Sequence, residues 1–438
     1  MWHEGPLIAA GTIWRELRPV VQGAVAWGAC TLSIAAFGAL VVIPAARDPY
    51  TNGFATLYAE SRILFEDPGE LRRIYDDDWF QRRVDQAFGR HVAETAQGQP
   101  PTMSLILAAW AWLSPGGARI AWIVTSTLLW VAGLATLAGG LGLRPLRGVP
   151  PVIWLSAATT PFRPLAENLA RGQGYAMMFF LLSLVVRSVL RSRDRRAWIA
   201  GIPLGLMLIL KSAGLWLHPL FAVTGRWRLV AVAAATALAA VLLVSPLIGW
   251  RIWPFYLTHA LRWVATEPSN HVSAYQTIQS LAGHLFVGDA TWNPAPVADL
   301  PALAWALAAA VLALIFVISA RVVRLDSESL EERALSIGLL VAPLVPVAPI
   351  GEGYHYLLLF PAILVGWWWA FRSPARAKNL PLVAVCTGLV CVPQRYYDAT
   401  ALQQGWATLL AYPRVYGAIA LWGLLARALA ASRSYASR

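Results

Sequence analysis

The chain has 438 residues, a formal net charge of +12, 58% hydrophobic residues and only 13% charged ones. A soluble domain carries about a quarter charged residues, so most of this chain needs a non-aqueous solvent. The positive charge does not point to nucleic acid, because only Lys211 and Lys378 are lysines and the arginines sit mostly in short connectors between apolar runs, the pattern of cytoplasmic loops in membrane proteins.

The runs 20–43, 120–143, 229–248 and 303–320 are long enough to cross a hydrocarbon core of about 30 Å. Backbone groups inside that core must be paired within the segment, so these runs predict helices. Strand alternation is absent, which argues against a β-barrel. Arg15 and Arg18 put the N-terminus on the cytoplasmic side. The first run is too long for the apolar part of a signal peptide and lacks a small-residue cleavage site, so it is expected to be retained. Cys30, Cys386 and Cys391 all lie in apolar runs and read as packing residues, with no disulfide and no metal site.

After the first helix comes a polar stretch, 44–100, with ten of the chain's 23 acidic residues against seven arginines. It reads as an outer loop. Within it Phe54, Leu57, Tyr58, Ser61, Leu64 and Phe65 recur at helical spacing, an amphipathic helix lying on the interface or packed on the bundle. The apolar segment 102–113 follows Pro100-Pro101 and is short. If it crosses, the later arginine loops fall outside; if it dips and returns, they fall inside, and the charge bias favours the dip. Further spans follow at about 119–142, 150–162, 174–190, 197–210, 213–224, 229–249, 301–320, 334–350, 354–371, 380–394 and 408–428. The arginine connectors between them include Arg144, Arg147, Arg191, Arg193, Arg321 and Arg324, and the tail ends at Arg438. The expectation is a single integral membrane domain, all-α, a polytopic transmembrane helical bundle of about twelve crossings plus a short dipping segment, with a second long outer loop at 250–300 and both termini cytoplasmic. No repeat of the kind that transporters show is present.

Several polar residues fall on the outer side. Asp48, just beyond the first helix, suits a general base at the membrane surface; alternatively it only starts a turn before Pro49. The hinge 164–174 holds Glu167, Asn168, Arg171, Gly172 and Gln173, with amide donors and a guanidinium fork suited to phosphate, or is an ordinary solvated turn. Lys211 sits among leucines, where a lysine is costly and faces a cavity or a partner unless it snorkels. His355 lies between two tyrosines, one turn from Glu352, and suits donation to a phosphate or a sugar hydroxyl; an aromatic belt is the plainer reading. Aromatic residues of 250–300 suit sugar stacking or the same belt. Asp76-Asp77-Asp78 has little specificity as a metal site and reads as a solvated face.

Several segments, in order, resemble the membrane glycosyltransferases of family 87, of the GT-C class, which include polyprenyl-phosphate-mannose-dependent mannosyltransferases. They are Gly53-Phe54 with Tyr58, then Tyr75-Asp76, Pro100-Pro101, Gly172-Gln173, Lys211, Gln279-Ser280-Leu281 and His355. The resemblance spans about 48–370. Where the family usually has Asp before Phe, this chain has Gly53, and the nearest upstream acid is Asp48.

The resemblance implies a GT-C-like bundle that moves a sugar, most often mannose, from a polyprenyl-phosphate donor to a lipid or glycan acceptor on the outer face of a bacterial plasma membrane. Asp48 is then the base, with Glu60, one helical turn past Phe54, the rival base; Lys211, Arg171 and His355 are the donor-phosphate residues, and Asn168, Gln173, Glu352, Tyr58 and Gln279 the substrate contacts, with no metal or cofactor. The rival readings are a non-enzymatic transporter or flippase and a degenerate subunit of the same fold.

Overall fold

The computed structural model describes residues 5–191, 195–212 and 214–436; Arg193 and Arg438 lie outside them. Every regular element among the described residues is helical, and extended pairing is limited to isolated bridges, one joining Tyr275 to Glu352.

Helix α1 (Gly5–Phe37) runs through a wide turn at Gly38–Val42 into α2 (Ile43–Arg47). Pro44 has no N–H to give to the carbonyl four residues back, and the Ile43 N–H already reaches Gly38 O, five back, so the turn opens to π geometry. The loop after it is folded. Helix α3 (Phe54–Glu66) is followed by a 3₁₀ stretch at Pro68–Tyr75 and by α4 (Asp77–Phe88). Asp76 starts α4 by accepting the Trp79 N–H at 3.1 Å, and Asp77 and Asp78 fill its first turn, where the helix dipole favours negative charge. The acidic triplet is thus a helix start. Of the two placements expected for α3, it takes the packed one: Phe54, Leu57, Tyr58 and Ile63 are buried against α4 and the neighbouring 3₁₀ turns, while Phe65 is exposed. The segment 102–113 forms two 3₁₀ turns, Pro101–Leu105 and Ala108–Trp110, of which the first packs closely on α3.

Helix α5 (Pro115–Leu141) opens with Ser114 accepting the Gly117 N–H. Then come α6 (Pro151–Ala158), α7 (Arg163–Arg171), α8 (Tyr175–Arg191), α9 (Gly201–Lys211), α10 (Leu217–Val223) and α11 (Trp227–Ile248). Helices α5, α8, α9 and α11 lie side by side in that order. The second long loop holds α12 (Ile252–Phe255), α13 (Leu261–Thr266) and α14 (Ile278–Phe286), and Tyr75 packs on Phe255 and Tyr256, joining it to the first loop. The chain closes with α15 (Pro301–Val322), α16 (Leu330–Val341), α17 (Phe360–Arg372), α18 (Arg376–Val390), α19 (Gln394–Tyr397) and α20 (Pro413–Ala436).

Among the described residues, six helices are long and apolar enough to cross a membrane: Pro19–Arg47, Pro115–Leu141, Trp227–Ile248, Pro301–Val322, Gly353–Arg372 and Pro413–Ser432. The protein is a multi-pass membrane protein. The other six expected spans fold as α6, α8, α9, α10, α16 and α18, of 8, 17, 11, 7, 12 and 15 residues. Helix length alone supports six crossings; α8 and α16 are largely buried inside the bundle.

The bundle has two chemically distinct ends. At one, Arg191 donates to Gly139 O, Arg333 to Leu190 O and Arg226 to Leu325 O. At the other, the folded loop 44–100 meets the start of α5 and the end of α7, and Arg414 ties α7 to Gly353 and Val392.

Candidate active site

Two buried arginines hold the loop end together. Arg119, on α5, donates to Ala45 O at 2.7 Å and to Leu169 O and Ala170 O at 3.0 and 2.7 Å. It thereby satisfies the last carbonyls of α2 and α7, where a cation also meets the negative end of each helix dipole. Gly172 closes α7 with φ +65°; a Cβ there would lie 1.7 Å from Arg119 Nη1, so both backbone and space require glycine. Arg414, at the start of α20, makes a bidentate pair with Glu167 at 2.7 and 2.8 Å and donates to Gly353 O and Val392 O. This fork geometry fits Arg and not Lys.

Inside this frame lies a cluster of titratable groups. Lys211, half-buried at the end of α9, has its ammonium 5.8 Å from the Tyr175 ring centroid and, among the described residues, no ion pair. Glu60, Glu94 and Glu352 all lie within electrostatic reach of it. Glu352 is engaged: it accepts from Arg171 at 3.0 Å and from the Tyr354 hydroxyl at 2.6 Å. Arg171 also reaches Gln394 at 3.3 Å. His355 stacks on Tyr354 and packs on Tyr175 with centroids 4.6 and 4.2 Å apart, and its Nδ1 is buried without a partner.

The loop supplies two carboxylates. Glu60, on α3, is fully buried and, among the described residues, neither oxygen has a hydrogen-bond partner. An ionised carboxylate there would lack compensation for lost water, and burial pushes Glu60 up to about 8, with Lys211 pulling the other way. Glu94 is half-buried and accepts the Gly53 N–H. Burial pushes it up to about 7, with Thr56 and the Gly53 N–H pulling the other way. Gly53 has φ +93°, and the Gln173 side-chain amide fills the space a Cβ would take, 2.2 Å away. Gln173 Oε1 and Asn168 Nδ2 are buried without partners, while Asn168 Oδ1 accepts the Tyr175 N–H at 3.1 Å.

The expected site residues therefore divide. Lys211, His355, Arg171, Glu352, Asn168 and Gln173 gather at the loop end. Asp48 is exposed, accepts the Tyr50 N–H at 3.0 Å, and acts electrostatically on Arg119. The Tyr58 hydroxyl donates to Leu113 O at 2.7 Å inside the loop core. Gln279 sits half-buried on α14. Sequence reasoning passed over Glu94, Arg119 and Arg414. Arg119 and Arg414, charged residues near the starts of long apolar helices, carried a readable signal; Glu94 in a polar loop carried none. Among the described residues no three His, Cys, Asp or Glu side chains are grouped to hold a metal.

The family model of glycosyltransferase family 87 matches residues 99–349, more than half of the chain. The chain belongs to glycosyltransferase family 87. No curated protein and no solved structure matches it. The family match covers Asn168, Arg171, Gln173, Lys211 and Gln279, and lies C-terminal to Asp48, Tyr58, Glu60 and Glu94 and N-terminal to Glu352 and His355. The protein is a membrane glycosyltransferase, which sets aside the transporter reading.

Proposed function

We propose that the protein transfers a sugar, most often mannose, from a polyprenyl-phosphate donor to a hydroxyl of a lipid or glycan acceptor at the outer face of the membrane. The observation that carries this is Lys211: a cation with no ion pair among the described residues, at the end of an apolar helix, beside three carboxylates and the tyrosine-stacked His355. A lysine so placed is costly unless it faces a partner, and the phosphate of a lipid-carried donor is a partner that arrives from the bilayer. The leaving phosphate gains charge as the glycosidic bond breaks, so a fixed ammonium helps the transition state more than the ground state. His355 adds a second polar contact. Arg171, already held by Glu352 and Gln394, orders the rim of the site. The acceptor's proton goes to a carboxylate of the first loop; Asp48 is the residue that sequence position favours.

Lys211→Met tests the donor role. The variant keeps the apolar stem, so its thermal stability in detergent stays close to wild type. Its affinity for polyprenyl phosphate falls by about 10- to 150-fold, the loss of a charge-assisted contact worth about 1.5–3 kcal/mol. Wild-type affinity in a folded variant would remove Lys211 from the site.

A further inference from the structure

We propose that Glu94 is the general base of this enzyme, the carboxylate that takes the proton of the acceptor hydroxyl. The assignment rests on the transfer reaction proposed above and names a residue that sequence position does not.

Three observations converge on it. The first is placement. Residue 53 begins α3 in a backbone conformation that disfavours a side chain, and Gln173 occupies the space where one would start. Glu94 reaches the same point from the far side of the loop, its carboxylate accepting the Gly53 N–H. Its backbone is fixed as well: the Glu94 N–H donates to Gln81 Oε1 at 3.0 Å, and Gln81 in turn donates to Val92 O. The second is company. Glu94 lies within electrostatic reach of Lys211, Glu60 and Glu352, so a base at Glu94 and a phosphate at Lys211 would share one site. The third is access. Glu60 is fully buried and cannot meet an acceptor, and Asp48 is exposed and turned into its own Tyr50 turn, facing Arg119 rather than Lys211. Of the three, Glu94 is the one that is both partly open to solvent and coupled to the cluster.

The step balances without a further reactant. The acceptor oxygen forms a bond to the sugar's anomeric carbon while the bond from that carbon to the phosphate oxygen breaks. The electron pair stays on the polyprenyl phosphate, which passes from a diester with one negative charge to a monoester with two. The acceptor's proton moves to Glu94, which later returns it to water. Burial lifts Glu94 to about 7, where a base is both available and strong enough to accept a proton near neutral pH. The titratable and charged groups around it are Glu60 on α3, Lys211 at the end of α9, and Glu352, which is paired with Arg171.

The experiment compares wild type with Glu94→Gln, Glu94→Asp, Asp48→Asn and Glu60→Gln in detergent. Polyprenyl-phosphate mannose is the donor, membrane lipid extract the acceptor source, and unglycosylated polyprenyl phosphate the binding probe. Glu94→Gln keeps the oxygen that accepts the Gly53 N–H, so it folds and binds the probe as wild type does. Its turnover falls by at least about 100-fold, and the rise of wild-type turnover with pH up to about 7 disappears. Glu94→Asp restores part of the turnover and that pH dependence. Wild-type turnover in a folded Glu94→Gln protein, or a collapse confined to Asp48→Asn or Glu60→Gln, overturns the assignment while leaving the transfer reaction intact. If Glu94→Gln loses probe binding and thermal stability together with turnover and Glu94→Asp rescues none of them, Glu94 is a structural residue and the assignment fails. Wild-type protein that neither transfers mannose nor binds the probe removes the reaction itself, and the assignment with it.

Discussion

Glu60 shows what burial does to a single acidic side chain here. Its carboxyl is sealed inside the loop core with no hydrogen-bond partner, and its affinity for a proton rises from the usual 4.5 to about 8. Because the folded state holds this proton more tightly than the unfolded chain, the group favours folding below about 4.5, and that contribution is lost as pH rises towards about 8. The slope from this one group is at most about 1.4 kcal/mol per pH unit. Glu60→Gln keeps the shape and cannot ionise. Thermal unfolding in detergent between pH 5 and pH 8.5 should therefore show wild type losing stability relative to Glu60→Gln as pH rises. Parallel curves would mean that Glu60 is solvated or paired in the native protein.

At the scale of elements, the long apolar helices were legible because their composition admits no other solution in a bilayer. The runs expected at 119–142, 229–249 and 301–320 fold as α5, α11 and α15 within a few residues. The loop was legible only in part. Helical spacing from Phe54 announced α3, but that spacing cannot tell a surface helix from one enclosed by its own loop, and α3 is enclosed. Asp76 to Asp78 looked like a run of solvated charge; the cap on Trp79 needed three-dimensional information. Within the site, Lys211 stood out because a lone lysine among leucines must be explained. Glu94 did not, since it lies in a loop with no helical or strand pattern and its partners are a backbone N–H 41 residues away and a lysine at the end of α9. Long-range contacts of this kind leave no periodic trace.

Across the whole molecule, polar chemistry is divided between the two ends of the bundle. One end joins connectors through Arg191, Arg226 and Arg333; the other gathers Glu60, Glu94, Lys211 and Glu352. Positive connectors stay on the cytoplasmic side, so the carboxylate cluster is expected to face outward. Single cysteines at Gly69 and at Ala375, in a protein stripped of Cys30, Cys386 and Cys391, test this. In intact cells a membrane-impermeant thiol reagent should label the first and reach the second only after permeabilisation. Labelling of Ala375→Cys from outside would invert the molecule.

The contact between Gly53 and Gln173 also constrains the order in which this protein could change. An aspartate at position 53 would have to adopt φ near +93° and displace a buried amide, strain of about 1–3 kcal/mol before any steric cost. Gly53→Asp alone should lower the melting temperature more than Gly53→Asp combined with Gln173→Gly, because neighbours that share one space are not additive. A loss in the double variant equal to the sum of the Gly53→Asp and Gln173→Gly losses would show that the two positions are independent. If they are coupled, a lineage with glycine at 53 reaches aspartate only after residue 173 has shrunk, and the present loop is held in place by history as well as by chemistry.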